Sequence, residues 1–176
     1  MDKKKRLHLF LLFLPAAYFS YLFHELGHWV IGELLGYNMT YRLNFVTVKE
    51  GEFLNENHRL LSSVGGPLFT MIQGVLFLWM IKKFRKVCFY PFLFFAFFTR
   101  FFPIVFGGFQ HQDEATISSI LGAGKYTVAI VVLSALLLMV WKASKILGIN
   151  LKNNGVFFAI STFCMLLVIG TYTFLL

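Results

Sequence analysis

The segment LHLFLLFLPAAYFSYLFHELGHWVIGELL, residues 7–35, decides what kind of protein this chain forms. Its first part, residues 7–23, contains no formally charged residue, and its second part continues through the polar patch HELGH at residues 24–28. A helix crosses the hydrocarbon core of a bilayer with about 20 apolar residues. The segment is therefore predicted to span a membrane and to carry its polar patch toward one end.

The rest of the chain has the composition of a protein with several such spans. Of its 176 residues, 58% are apolar and only 14% are charged, whereas about a quarter of a soluble domain is charged. This composition excludes a soluble globular domain, and the high apolar content excludes intrinsic disorder. The two cysteines, Cys88 and Cys164, lie in separate apolar runs, so neither a disulfide framework nor a cysteine metal site is predicted.

The apolar runs predict an all-α polytopic membrane protein with about five transmembrane helices in a single domain, residues 1–176. Ala115–Leu121 is too short to span and is predicted to be a re-entrant or interfacial helix. Between the first two spans, residues 39–45 alternate in polarity as a half-buried strand does, and residues 49–52 offer a turn. A short membrane-associated hairpin and an ordinary polar loop both fit this segment. The predicted spans are residues 7–35, 60–81, 87–106, 126–147 and 155–176.

The cationic residues predict the orientation of the chain. Eleven Lys and Arg residues fall on the side of the N-terminus and four on the other side. Because cytoplasmic loops carry the excess of positive charge, the N-terminus is predicted to be cytoplasmic, with the HELGH patch toward the outer face. The net charge of +8 then reflects contact with the bilayer, and no nucleic-acid partner is predicted. The N-terminus also resembles a signal peptide, but Pro15-Ala16-Ala17 is a poor cleavage site, so a retained signal anchor is expected.

The HELGH patch has the residues and the spacing of a metal site. Each residue of an α-helix turns by about 100°, so His24 and His28 differ by about 40° and share one face. This spacing lets two imidazoles bind one Zn²⁺ ion, while Glu25 accepts a proton from the metal-bound water as general base. A chance match is the alternative. Three ionisable residues within an apolar helix are costly in lipid, however, and are functional by default.

An HELGH motif in the first span, followed by Gly65-Gly66-Pro67 in the second, resembles the site-2 protease family of intramembrane zinc metalloproteases. The likeness is greatest to the short members without a PDZ domain. It covers a motif-bearing core of about residues 7–121, whereas the additional spans at about 125–176 carry no recognised motif. The resemblance implies an enzyme, a zinc metalloendopeptidase that hydrolyses a peptide bond of a membrane-tethered protein substrate. It also implies a hairpin after the motif helix, for which Tyr37–Arg59 is the counterpart.

A catalytic zinc ion usually has three protein ligands and one open position. The resemblance implies that the third ligand is an Asp in a later segment, usually followed by Gly. Asp113 matches by position, but Glu114 follows it. Asp113 is therefore the expected third ligand, with His111 and Glu114 as rivals, and the orientation above places Asp113 on the same outer side as the two histidines.

Other polar residues of the spans have predicted roles away from the metal. Glu33 lies nine residues after His24, about 180° around the helix, which favours a capping or pairing role at the interface. Arg100 can pair with a carboxylate at the site or extend toward the headgroups, and the second is expected. Gln73 is expected to form an interhelical hydrogen bond. The glycines expected to permit close helix packing are Gly65, Gly66 and Gly74.

Two other functions are compatible with the same residues. A non-proteolytic membrane protein could retain the motif as a structural zinc site. A metal transporter could use the His and Glu side chains as a transit site, although a transporter usually places polar residues at mid-membrane on several spans. The clustering of these residues near one end of the first span favours the protease.

Overall fold

A computed structural model describes residues 3–175, which form six α-helices and one two-stranded hairpin. Five of the helices are long and apolar enough to cross a membrane, so the predicted all-α polytopic fold is confirmed. The predicted domain, residues 1–176, extends beyond the described residues at both ends, to Met1 and Asp2 and to Leu176. The side chains of the basic residues before residue 9 also lie outside the described part. The elements are α1 (Lys3–Leu34), β1 (Met39–Arg42), β2 (Phe45–Val48), α2 (Glu56–Phe84), α3 (Tyr90–Phe106), α4 (Asp113–Ile120), α5 (Thr127–Leu147) and α6 (Leu151–Leu175).

Asparagine caps explain why two spans begin earlier than their apolar runs. The Asn55 side chain accepts a hydrogen bond from the backbone N–H of His58, and α2 begins at the next residue, Glu56. The Asn150 side chain accepts in the same way from the N–H of Asn153 before α6. Such side chains satisfy N–H groups that the first turn of a helix leaves free, so a helix can start in a polar stretch that hydropathy leaves out.

The hairpin between α1 and α2 is present, but its turn lies elsewhere than predicted. β1 and β2 pair antiparallel, with Met39 opposite Val48 and Arg42 opposite Phe45. The chain therefore reverses at Leu43 and Asn44, and the predicted turn at residues 49–52 follows the second strand. Leu43 lies in the turn but is buried, as an inward-facing strand residue would be. The alternation in polarity therefore continues through the turn and does not reveal where the chain reverses.

Polar contacts fix the hairpin to α1. Glu33 accepts a hydrogen bond from the Met39 N–H (2.8 Å), which gives it the predicted interface role, and Tyr41 donates from its hydroxyl to the Leu22 carbonyl (2.6 Å). The Met39 side chain packs over Gly32, where a β-carbon would overlap it. The hairpin is therefore held beside the polar end of α1.

The backbones of α1 and α2 touch at a pair of glycines. A β-carbon on Gly27 would overlap the Gly65 carbonyl, and one on Gly65 would overlap the Gly27 carbonyl. Small residues permit such close approach in membrane helices, where packing and interhelical hydrogen bonds drive association. The predicted Gln73 contact is also present, since its side-chain amide donates to Ser20 Oγ (2.7 Å) and to the Phe92 carbonyl (2.8 Å).

The third span lies at the centre of the helix bundle. In the span Val87–Phe106, which contains α3, 56% of the most apolar stretch is buried, against 28% in the spans of α5 and α6. Its phenylalanines pack against α1 and α6, so they fill part of the protein core. At its start, Tyr90 bonds through its hydroxyl with Ser144 (2.8 Å) and Asn154 (2.6 Å), which ties α3 to α5 and α6.

We expect Gly65→Ala to lower the melting temperature, because the added methyl group forces α1 and α2 apart. Overpacking of this kind costs about 1–3 kcal/mol. Thermal unfolding of the purified protein in detergent measures the change. Gly170→Ala is the matched control, since its β-carbon meets open space. Equal melting temperatures for the two variants would show that the Gly27–Gly65 contact contributes nothing to stability.

Candidate metal centre

His24 and His28 of α1 and Asp113 of α4 lie close together in the structure. One ligand atom from each lies within 4.8 Å of the others. The His24 Nε2 atom is 2.9 Å from Asp113 Oδ2, and the His28 Nε2 atom is 3.4 Å from Asp113 Oδ1. The two Nε2 atoms are 3.2 Å apart. The structure therefore brings together the three residues expected from the sequence as ligands.

These distances are those of ligands around one small ion. Zinc–nitrogen and zinc–oxygen bonds are about 2.0–2.2 Å long, which places the ligand atoms of a tetrahedral ion about 3.3 Å from one another. The two Nε2 atoms are 3.2 Å apart, and the Asp113 carboxylate approaches them through different oxygens, Oδ2 at 2.9 Å from His24 and Oδ1 at 3.4 Å from His28, so all three distances are close to this value. Zn²⁺ fits between these atoms, and it would leave a fourth position open.

Residues of α2 orient both imidazoles. The Thr70 hydroxyl donates to the Gly66 carbonyl (3.1 Å), so its oxygen accepts a hydrogen bond from His24 Nδ1 (2.9 Å). His28 Nδ1 donates to the Ser62 carbonyl (2.7 Å). A neutral imidazole that carries its hydrogen on Nδ1 has a lone pair on Nε2. Two such lone pairs facing a carboxylate require a cation between them, either a proton or a metal ion.

Gly66 leaves the space that the two rings occupy. A β-carbon at this position would overlap both the His24 and the His28 imidazole. Gly66 was expected to permit close packing between helices. It instead permits the two imidazoles to pack against the backbone of α2. Gly65 and Gly74 do allow close packing between helices, of α2 against α1 and of α2 against α5.

Asp113 is the first residue of α4 and reaches the histidines from outside the spans. Burial by itself would raise the pKa of Asp113, but its hydrogen bonds with His24 and His28 lower that pKa well below the ordinary value of 3.8. The carboxylate is therefore ionised. Neither rival is in the group of three: His111 is exposed, and Glu114 is buried with its carboxylate toward Arg100.

The expectation that Arg100 extends to the headgroups is wrong. Arg100 is only 9% exposed. Its Nη1 atom lies 3.4 Å from Glu114 Oε2 and 3.5 Å from Asp113 Oδ2. The nearby carboxylates of α4 draw the guanidinium into the protein, because a buried ion pair with hydrogen bonds offsets part of the cost of removing the charge from water.

A cleft of about 590 Å³ opens beside the histidines. Glu25 lines it next to the three grouped residues, and the hairpin forms one wall with Asn44, Phe45 and Val46. A peptide in this cleft would meet the histidine pair and the carboxylate of Glu25 together. Residues of α6 that also line the cleft, Met165 and Ile169, lie in a span without a recognised motif.

Sequence reasoning missed the support that Ser62 and Thr70 give to the two histidines, although it named Gly66 and Gln73 for other roles. Ser62, Gly66, Thr70 and Gln73 follow one another at intervals of four, four and three residues along α2. Such intervals place small and polar residues on one face of a helix. That stripe was the available signal, and it marks the face of α2 that turns toward α1.

No family model matches the sequence, and no curated protein or solved structure matches the chain. The HELGH motif and the geometry of the site are therefore the features that bear on function.

We expect Asp113→Ala to weaken Zn²⁺ binding by more than about 100-fold, since loss of a ligand should exceed the 10–100-fold effect of losing a residue that supports one. His111→Ala is the control and should bind as the wild type does. The measurement is a Zn²⁺ titration against a competing chelator. If His111→Ala abolished binding while Asp113→Ala retained it, Asp113 would not be the third ligand.

Thr70→Val should weaken Zn²⁺ binding by about 10–100-fold, because it removes the acceptor that orients His24. Thr162→Val is the matched control: the Thr162 hydroxyl likewise donates to the carbonyl four residues before it, that of Phe158, but contacts no histidine. The same titration compares the two variants. Equal affinities would mean that Thr70 does not orient the imidazole.

Proposed function

We propose that the protein is an intramembrane zinc metalloendopeptidase that cleaves a membrane-tethered protein substrate. The observation that carries the proposal is the set of separations among His24 Nε2, His28 Nε2 and the Asp113 carboxylate, which suit a tetrahedral ion. The H-E-x-x-H spacing on a membrane helix supports it independently. The multi-pass fold is consistent with a substrate that is itself held in the bilayer.

His24, His28 and Asp113 would hold Zn²⁺. When bound, the ion would supply Lewis-acid chemistry, polarising the scissile carbonyl and making water acidic enough to attack near neutral pH. The protein contributes the orientation of the ligands through Thr70 and the Ser62 carbonyl.

Glu25 is the proposed general base. It follows His24 directly and lines the cleft beside the three ligands. It would accept a proton from the attacking water and then donate it to the nitrogen of the scissile bond. The leaving group would then depart as a neutral amine and not as an amide anion. Glu25 is only 8% exposed, and its low exposure keeps bulk water from competing for that proton.

The hairpin offers a place to hold an unwound substrate. A helical substrate hides its peptide bonds in its own hydrogen bonds, so a short segment must unwind before cleavage. β2 is an edge strand of the two-stranded sheet, and its first residues line the cleft. An extended peptide can add to such an edge through backbone hydrogen bonds. This arrangement would place the unwound segment next to Glu25.

The proposed orientation follows from the charge bias of the loops. The N-terminus would be cytoplasmic, and the metal centre would lie toward the outer face. A structural zinc site and a metal transporter remain the competing functions. The proposed ligands come from one span, α1, and from α4 outside the spans, which favours the protease over a transit path built from several spans.

The test compares membranes from cells that express the wild type, Glu25→Gln or Glu33→Gln. Glu33→Gln makes the same chemical change on the same helix, but a Gln oxygen can still accept from the Met39 N–H. Mass spectrometry of new protein N-termini should find cleavage within or beside membrane spans for the wild type and for Glu33→Gln. Glu25→Gln should abolish these termini while the purified protein retains about one zinc ion per chain, because Glu25 is not a ligand.

Three results would contradict the proposal. Wild-type protein that is folded, never exposed to chelator and free of zinc would remove the metal centre. Zinc-containing wild type that generates no new termini, or Glu25→Gln that generates as many as the wild type, would favour a structural metal site.

A further inference from the structure

Each proposed ligand has one supporting partner on another helix. His24 has Thr70 and His28 has the Ser62 carbonyl. Such partners fix the orientation of metal ligands and are a large part of a metal site's affinity. The partner of Asp113 is Arg100, whose Nη1 atom lies 3.5 Å from Oδ2, the same oxygen that faces His24.

Arg100 is the residue that can still orient the Asp113 carboxylate once a metal ion is bound, although its Nη1 atom lies 3.5 Å from Oδ2. The described side-chain partners of Asp113 are His24, His28 and Arg100. A bound metal ion would occupy both imidazole Nε2 atoms, which leaves Arg100 as the partner that can still orient the carboxylate. The preceding residue, Gln112, makes no side-chain cap to α4.

Glu114 holds the guanidinium in place. Both of its carboxylate oxygens lie near Arg100 Nη1, at 3.4 and 3.5 Å, and Glu114 is only 2% exposed. One nitrogen thus faces the carboxylates of two consecutive residues of α4. The Arg100 Nε atom is buried and has no hydrogen-bond partner among the described residues, so the guanidinium faces these carboxylates at the expense of its Nε donor.

We propose that Arg100, anchored by Glu114, is a positioning residue that orients Asp113 for metal binding. The inference rests on the proposed metal centre and extends it to α3. It also gives a role to Glu114, the residue at which the sequence departs from the Asp-Gly pattern. If Arg100 instead competed with the metal for Asp113, its removal would strengthen binding, so the two roles predict opposite changes.

The decisive variant is the double substitution Arg100→Gln/Glu114→Gln. It removes one positive and one negative charge, so the net charge around the site is unchanged and neither Arg100 nor Glu114 is left as an unpaired buried charge. Asp113 loses its contact with residue 100, which is the contact under test. A change in Zn²⁺ affinity then reports orientation. Full-length protein in detergent is stripped of metal and titrated with Zn²⁺ against a competing chelator, and Co²⁺ is bound in parallel because its visible absorption reports coordination geometry.

The double variant should bind Zn²⁺ about 10–100-fold more weakly than the wild type, with an altered Co²⁺ spectrum. In the wild type a single nitrogen, Arg100 Nη1, makes both contacts, and Arg100→Lys keeps one charged nitrogen donor. The Zn²⁺ affinity of this variant should therefore lie between those of the wild type and the double variant. Tyr90→Phe is the control on the same helix, ten residues from Arg100 and about 15 Å along its axis. It loses the hydroxyl contacts with Ser144 and Asn154 and should melt earlier with unchanged affinity and spectrum.

The outcomes separate this inference from the proposed function. If the wild type binds Zn²⁺ and the double variant binds it with equal or higher affinity, the proposed role of Arg100 is overturned while the metal centre stands. An affinity loss in Tyr90→Phe equal to that in the double variant also overturns it, because the effect would then follow general stability. Wild type that binds no Zn²⁺ overturns the proposed function and this inference with it.

Discussion

The close approach of α1 and α2 at Gly27 and Gly65 is the contact on which the candidate site depends. Because the two backbones touch, the Ser62 carbonyl and the Thr70 hydroxyl of α2 come within hydrogen-bonding distance of the imidazoles of α1. A bilayer supplies little hydrophobic drive for helix association, so packing and interhelical hydrogen bonds must hold the pair together. The same contact therefore stabilises the fold and selects the nitrogen that each histidine presents.

The low dielectric of the interior makes charge balance a second constraint. Buried charges are tolerated when they are paired or when they coordinate a metal. If both histidines are neutral, a divalent ion and Arg100 would together balance the negative charges of Glu25, Asp113 and Glu114. The proposed centre is thus electrically neutral when occupied. In the proposed centre, Arg100 and Glu114 belong to that balance as much as the ligands do.

Much of the fold could be predicted because apolar length and helical spacing are local properties. The five spans follow from the requirement that a chain in lipid satisfies its backbone hydrogen bonds within helices. The turn of the hairpin was misplaced because buried Leu43 has the polarity expected of a strand residue. The snorkelling expected of Arg100 was wrong because its partners, Asp113 and Glu114, lie on a different element, and pairing across elements leaves no periodic signal.

By itself the sequence determined the class of protein, the spans and the pairing of His24 with His28, since residues four apart on a helix share a face whatever surrounds them. Only the tertiary structure decided that Asp113, and neither His111 nor Glu114, lies within reach of those histidines. Three neighbouring polar residues near the start of one short helix have nearly the same local preferences. Their roles differ because α4 packs against α2 and α5 in one orientation, and long-range packing sets that orientation.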